Sequence, residues 1–128
     1  MSRTRAIRNV ETGQLVLARA ALADTFFKRW RGLMLRRRLD EDEGLLFTFH
    51  RESRSESSIH MFFVGFPIAA VWLDENGVVV DARLAKPWRP YYAPARPARY
   101  LIEAPPSLLA RVAIGDRLAF DDAPPSVP

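Results

Sequence analysis

The feature that most constrains the fold is a tight hairpin near the middle of the chain. Residues 68–73 and 78–82 are apolar, strand-like runs on either side of a short polar turn that ends in Asn76-Gly77. Asn-Gly is a strong hairpin signal, because both residues tolerate the positive φ that a tight turn requires. Pairing across this turn predicts one core face, formed by Ala69, Val71, Leu73, Val78, Val80 and Ala82.

Other strand-like runs recur along the chain and are separated by turn signals. Gly13, Gly44, Pro67 and Gly115 mark turns between them. The stretch 50–58 predicts a solvated loop, because it contains no apolar residue. The runs that predict strands are 15–23, 45–49, 59–64, 68–73, 78–82, 100–104 and 117–120.

Two short helices are predicted within this β pattern. In residues 26–36 the large apolar side chains recur at helical spacing, and Asp24 or Thr25 can cap them. A second helix over 106–114 opens with a proline. The predicted fold class is therefore mainly β (α+β): a small, mostly antiparallel β-barrel-like single domain with two short helices.

A single domain is expected because 128 residues with 48% apolar content can bury one core and are too few for two. We expect this domain to occupy residues 1–120, with residues 121–128 forming a disordered tail. The N-terminus lacks the apolar run of a secretory signal, and no segment approaches the roughly 20 apolar residues that cross a bilayer. The sequence predicts a cytoplasmic protein with no membrane partner.

Metal and thiol chemistry have few candidate residues. The chain contains no cysteine, so a disulfide, a thiolate nucleophile and a Cys-ligated zinc are excluded. Its two histidines, His50 and His60, lie on either side of the polar loop, and Met61 would point away from His60 on a strand. We therefore expect no metal and no cofactor.

Catalysis has little support in the sequence. Serines in the loop 50–58 lie near both histidines, but no Gly-x-Ser-x-Gly elbow or oxyanion signature accompanies them. The acids at 40–43 form a solvated cluster, and Glu103 has no evident partner. No catalytic residue is assigned, and a non-enzyme is favoured; the alternative is a hydrolase that uses His60 with a serine or Glu103.

The candidate binding surface is the loop 86–100. Its four prolines predict a stiff surface loop, and it has four basic residues and no acid. Basic residues among aromatic rings suit an anionic ligand or single-stranded nucleic acid, although the same rings could simply cover the barrel. The loop is the first choice for binding because loops on rigid scaffolds often carry function.

The order of these landmarks resembles the family called domain of unknown function 192. The matching pieces are RWRGLMLRRRL, GLLFTF, SIHMFFVGFPIAAVWLDENGVVV, KPWRP, RYLIEAPP and IGDRLAF, and the resemblance covers roughly residues 15–120, nearly the whole chain. The resemblance implies a compact β-rich single domain. It implies no particular activity, because none is established for the family.

Two positions depart from the family pattern. Ala69 stands where the pattern has aspartate, and the hairpin pairing turns this position inward. Ser107 ends a Glu-Ala-Pro-Pro-Ser run where the pattern reads Glu-Leu-Pro-Ala-Gly. The missing carboxylate at Ala69 argues against catalysis in this chain.

The sequence therefore favours a small binding domain without catalytic activity. Its expected partner is a small anionic ligand or a protein, and single-stranded nucleic acid is an alternative that is not favoured over these. The candidate ligand-binding residues are Arg31, His60, Trp88, Arg89, Tyr91, Tyr92 and Glu103.

Overall fold

A computed structural model describes residues 4–23, 39–61 and 63–122. These residues contain seven strands and one short 3-10 helix. The strands are β1 (Thr4–Asn9), β2 (Leu15–Ala23), β3 (Glu43–Ser53), β4 (Ile68–Leu73), β5 (Val79–Ala85), β6 (Ala98–Ala104) and β7 (Leu118–Asp122). The 3-10 helix is Pro106–Ala110.

The seven strands form one curled sheet in the order β5-β4-β6-β3-β2-β1-β7. Every neighbouring pair is antiparallel except β2 and β3, which are parallel. The two edge strands meet at one end, where Val78 bridges Arg117 and the Leu118 amide donates to the Gly77 carbonyl at 2.9 Å. The fold is thus a mainly β half-barrel, and the predicted fold class is confirmed at that level.

The inner face of the curled sheet holds the main core. Buried side chains from all seven strands meet there, and Leu108 of the 3-10 helix packs against them. Close approach of β3 and β6 depends on Gly44, because a Cβ on this residue would lie 2.4 Å from the Glu103 carbonyl oxygen. The described members of this core include Ile7, Leu17, Leu46, Ala69, Val71, Leu73 and Ile102.

The outer face of β3, β4 and β6 is also buried. Phe47, Trp72 and Leu101 pack together there. Met61 and Val64, from the segment before β4, form a neighbouring cluster with Ile68 and Ala85. The indole Nε1 of Trp72 donates to the Ser57 carbonyl at 2.7 Å, which fixes the preceding segment against the sheet. Loop residues therefore cover this face.

The hairpin forms as predicted, but with a different register. Gly77 has a positive φ of 81°, whereas Asn76 does not. The register shifts beside Trp72, so Leu73 opposes Val79 and Val80 is the extra residue of a bulge. The inward positions predicted for Ala69, Val71 and Leu73 are confirmed.

The bulge corrects the prediction for the second strand of the hairpin. Val79 joins the inner core, and Val80 packs on the outer face with Trp72. Val78 pairs with Arg117 rather than lying in the predicted core face. One inserted residue reverses the alternation of side chains, which is why strict pairing across the turn predicted the wrong face for Val78 and Val80.

Two of the predicted boundaries are also wrong. The described residues of the segment, 59–61 and 63–64, make only an isolated bridge, from Ile59 to Tyr92, and are not part of a strand of the sheet. The predicted loop 50–58 is strand up to Ser53, because β3 continues beside β6 as far as the Ser53 to Ala98 pair. Polar residues can extend β3 because main-chain pairing does not require apolar side chains.

The prediction of two short helices is wrong for the residues that the structure describes. The segment predicted as a helix over 106–114 is a 3-10 helix of five residues. Pro105 and Pro106 supply no amide N–H, and the chain turns again at Gly115. The predicted helix over 26–36 lies outside the described residues. The division into a domain of 1–120 and a tail of 121–128 stays a prediction; β7 ends at Asp122.

Candidate functional site

Two loop segments form a hydrogen-bonded layer over the outer face of the sheet. Ile59 and Tyr92 exchange backbone hydrogen bonds of 2.8 Å. The Met61 amide donates to the Arg89 carbonyl at 2.8 Å, and the Trp88 amide donates to the Met61 carbonyl at 2.9 Å. We call these residues (59–61, 63–64 and 86–92) the covering layer. Because the Met61 side chain is fully buried beneath it, the layer is anchored to the sheet.

Phe63 and Trp88 present their rings to solvent from strained backbone positions. Their φ angles are 61° and 64°, and they are the positive-φ residues other than glycine in the part of the chain that the structure describes. The rings pack edge to face with centroids 5.2 Å apart, yet the residues are 53% and 55% exposed. Left-handed backbone is unfavourable for a bulky residue and concentrates at functional sites, so this pair marks the layer as a candidate site.

Basic and aromatic side chains surround this pair. Tyr91 is 62% exposed, and the bridge between Ile59 and Tyr92 places exposed His60 on the segment that faces Tyr91. Lys86 and Arg89 are exposed, and neither side chain has a hydrogen bond or ion pair with a described residue. We define the aromatic-basic patch as His60, Phe63, Lys86, Trp88, Arg89 and Tyr91.

The two segments that carry the patch contain basic residues and no acidic ones. Neither 57–73 nor 82–102, which include both segments of the covering layer, contains an acidic residue. Asp81, the acid nearest to Lys86 in the sequence, is engaged elsewhere: its carboxylate accepts from the Ala95 amide at 2.8 Å and pairs with Arg83 at 3.2 Å. No carboxylate of these segments therefore offsets Lys86 and Arg89.

Two of the other residues in the predicted loop hold its shape. The Tyr92 hydroxyl accepts from the Lys86 amide at 2.9 Å, and its ring is half-buried against the outer face. The Arg99 guanidinium donates to the Phe49 carbonyl and lies over the Tyr100 ring. The exposed patch is therefore carried by a loop that is tied down at several points.

Glu103 lies on the outer face of β6, the strand between β3 and β4. Its register partners are Leu45 and Ala70, and Leu45 packs against the clusters that contain Met61 and Trp72. The residue is only 5% exposed, and its carboxyl group has no hydrogen bond or ion pair with a described residue. Burial raises the pKa of Glu103 from 4.5 to about 8. The carboxyl is therefore predominantly protonated at neutral pH.

Ala69 and Glu103 lie on opposite faces of the sheet. Ala69 is fully buried in the inner core and pairs with Ala104, the next residue after Glu103. An aspartate at position 69 would therefore enter the inner core and not join Glu103. The inward direction predicted for Ala69 is confirmed.

The structure brings most of the predicted ligand-binding residues to one side of the sheet. His60, Trp88, Arg89 and Tyr91 lie in the aromatic-basic patch, and Tyr92 supports it. Glu103 is buried on the sheet face that the layer covers, and Arg31 lies outside the described residues. Their role in ligand binding stays a prediction.

Sequence reasoning missed Phe63 as an exposed residue. It lies in an apolar run that predicted a buried strand, and only its left-handed backbone turns the ring to solvent. One signal in the sequence could have indicated its exposure. Phe63 is the second of two adjacent phenylalanines and lies just before Gly65 and Pro67, which interrupt a strand.

A metal-ligand cluster and a membrane-spanning helix are both absent from the described ranges. No group of three His, Cys, Asp or Glu side chains there is arranged to hold a metal ion. No helix in the same residues is long and apolar enough to cross a membrane.

Comparison with known proteins identifies relatives across nearly the whole chain. The DUF192 family model, described as "Uncharacterized ACR, COG1430", matches residues 7–120. The chain is 40% identical to a UPF0127 protein of Thermococcus kodakarensis over 116 residues, which are 89% of this chain and 72% of that protein. It is 36% identical to a UPF0127 protein of Pyrococcus furiosus over 115 residues, 88% of this chain and 96% of that protein.

Two solved structures share the fold. A "putative transcription regulator" from Sinorhizobium meliloti has a TM-score of 0.82 at 24% identity, covering 94% of this chain and 96% of that one. A protein of unknown function from Novosphingobium aromaticivorans has a TM-score of 0.77 at 21% identity, covering 91% and 83%. The chain belongs to the uncharacterised family called domain of unknown function 192, as the resemblance in its sequence predicted.

Proposed function

We propose that this protein is a non-catalytic binding domain whose aromatic-basic patch receives an anionic ligand or partner. The observation that carries the proposal is the Phe63 and Trp88 pair, two half-exposed rings held in left-handed backbone. Such a conformation costs on the order of 1–3 kcal/mol for each residue, and it persists only where the surroundings enforce it. Burying either ring would be the cheaper arrangement, so exposure at this cost supports a role in contact.

The charges of the patch indicate the chemistry of the ligand. Lys86 and Arg89 are exposed and have no acidic partner among the described residues. A cation that no protein carboxylate neutralises attracts anions, and several such cations on one surface add their fields. The ligand is therefore anionic.

A binding role accounts for the surrounding residues better than hydrolysis does. The hydroxyls of the candidate serines are engaged within their own loop: Ser57 donates to the Ser53 carbonyl, and Ser58 donates to the Ser55 carbonyl at 2.7 Å. Glu103 is only 5% exposed, on the outer face of β6 between Leu45 and Ala70. These contacts support turn-forming serines and a structural carboxyl, and the proposal accordingly assigns no catalytic residue. The proposed compartment is the cytoplasm.

Isothermal titration of the full chain with inorganic polyphosphate tests the proposal. Arg89→Gln removes one charge from the patch and should weaken binding severalfold, because a protein that makes one phosphate contact fewer releases fewer counterions when it binds. Arg117→Gln is the matched control, since Arg117 is exposed at the opposite end of β5 from Lys86. Equal affinity in the two variants, or no binding by the unmodified protein, would contradict the proposal.

A further inference from the structure

The exposed rings of the patch indicate which class of anion it binds. We propose, building on the function proposed above, that the anionic partner is single-stranded nucleic acid. Phe63, Trp88 and Tyr91 are each more than half exposed on one loop layer. A charged ligand without planar groups would use the cations and leave these rings in water. Unpaired bases offer a flat apolar face to every such ring.

The covering layer holds two of these rings in a fixed arrangement. Met61 connects the two segments, since its amide donates to Arg89 and its carbonyl accepts from Trp88. The Phe63 ring then packs against the edge or face of Trp88 at a centroid distance of 5.2 Å. Each of the two residues is more than half exposed in this arrangement, so ring surface is available for stacking.

Cations alternate with the rings along the same loop. Lys86, Trp88, Arg89 and Tyr91 follow one another within six residues, and exposed Arg96 continues the series. None of the three cations has a side-chain partner among the described residues. Phosphates of a strand whose bases stack on the rings would meet these cations, as in sequence-tolerant single-strand binding.

Other polyanions use less of this surface. A duplex stacks its bases internally, so it could engage Lys86 and Arg89 but not the faces of Trp88 and Tyr91. An acidic peptide supplies charge without a planar apolar group at each step. Single-stranded nucleic acid is the ligand class that uses both the rings and the cations.

Fluorescence anisotropy with two labelled oligomers separates stacking from charge. One is oligodeoxythymidylate of about 12 nucleotides, within the range that single-strand domains occupy. The other is an abasic deoxyribose-phosphate oligomer of equal length and charge. We expect the full chain to bind oligodeoxythymidylate at least about tenfold more tightly than the abasic oligomer, with affinity falling steeply as salt rises.

Ring variants provide the second arm of the experiment. Trp88→Ala should weaken oligodeoxythymidylate binding by about fivefold to a hundredfold and leave abasic binding unchanged. Tyr91→Ala, which removes a ring that is 62% exposed, should act in the same direction if Trp88→Ala fails to fold. Ile114→Ala is the control, because Ile114 is exposed and apolar but lies outside the patch.

The outcomes distinguish this inference from the function on which it rests. Equal binding of the two oligomers overturns single-strand recognition while anion binding stands. Tighter binding to a duplex of the same sequence, to polyglutamate, or to vesicles containing phosphatidylserine also overturns it. No binding to any of these anions overturns both proposals.

Discussion

Glu103 places a carboxyl group among apolar side chains on a strand in the middle of the sheet. Desolvation raises its pKa to about 8, and no described cation compensates it. A carboxyl in this setting is stable only in the protonated form, so the folded protein holds a proton that the unfolded chain releases above pH 4.5. Folding is thereby coupled to pH through a single residue.

The sign of this coupling gives a stability prediction. Because the folded pKa lies above the unfolded value, the contribution of Glu103 is fully present below pH 4.5 and is lost as pH rises to 8. Across this pH range the free energy of unfolding falls by about 5 kcal/mol, because each unit of pKa shift corresponds to roughly 1.4 kcal/mol. Glu103→Gln, which imitates the protonated carboxyl, should be more stable than the unmodified protein by about 3 kcal/mol at pH 7.

Urea unfolding between pH 5 and pH 8 measures this difference. Glu11→Gln is the control, because Glu11 is exposed in a turn. The prediction fails if Glu103→Gln retains the same slope of stability against pH as the unmodified protein.

At the scale of elements, closure of the half-barrel depends on the β4-β5 turn meeting the start of β7. Gly77 combines two roles at this point. Its φ of 81° needs glycine, and a Cβ there would lie 2.6 Å from the Leu118 carbonyl oxygen. The Leu118 amide also donates to the Gly77 carbonyl, so the turn is hydrogen-bonded to β7.

Comparison with Gly13 isolates the cost of this contact. Gly13 has a similar positive φ of 73°, but a Cβ there would meet nothing within 4 Å. Gly13→Ala should therefore cost only the conformational strain, about 1 kcal/mol, whereas Gly77→Ala should cost about 1–3 kcal/mol more because β7 must move. Thermal or urea unfolding of both variants tests this, and equal losses of stability would show that the contact with Leu118 does not matter.

The elements that could be predicted are those with a local signal. Alternation and the Asn-Gly turn predicted β4 and β5, but the bulge at Val80 arises from pairing and reversed the predicted face. β1 was missed because Thr4–Asn9 is mostly polar, and only its pairing with β2 and β7 makes it a strand. Of the site, the basic loop was predictable from composition. The exposure of Phe63 depends on a backbone conformation that its apolar neighbours concealed.

On the scale of the whole molecule, the covering layer links the exposed patch to the buried face of the sheet. The Met61 side chain is fully buried against the sheet, while the Met61 backbone forms hydrogen bonds with Trp88 and Arg89 within the layer. Leu45, the cross-strand neighbour of Glu103, packs against the cluster that contains Met61. The covering layer that presents the patch therefore packs on the same face of the sheet as Glu103.

A paired substitution tests this link. Met61→Ala and Leu17→Ala each empty a fully buried site, and each should cost about 2–5 kcal/mol. Leu17 lies in the inner core, so its loss should leave the pKa of Glu103 raised. Met61→Ala lets water approach the outer face, which should lower the pKa of Glu103 and flatten the dependence of stability on pH between 4.5 and 8. Identical pH slopes in the two variants would show that the strands alone, without the covering layer, keep the carboxyl dry.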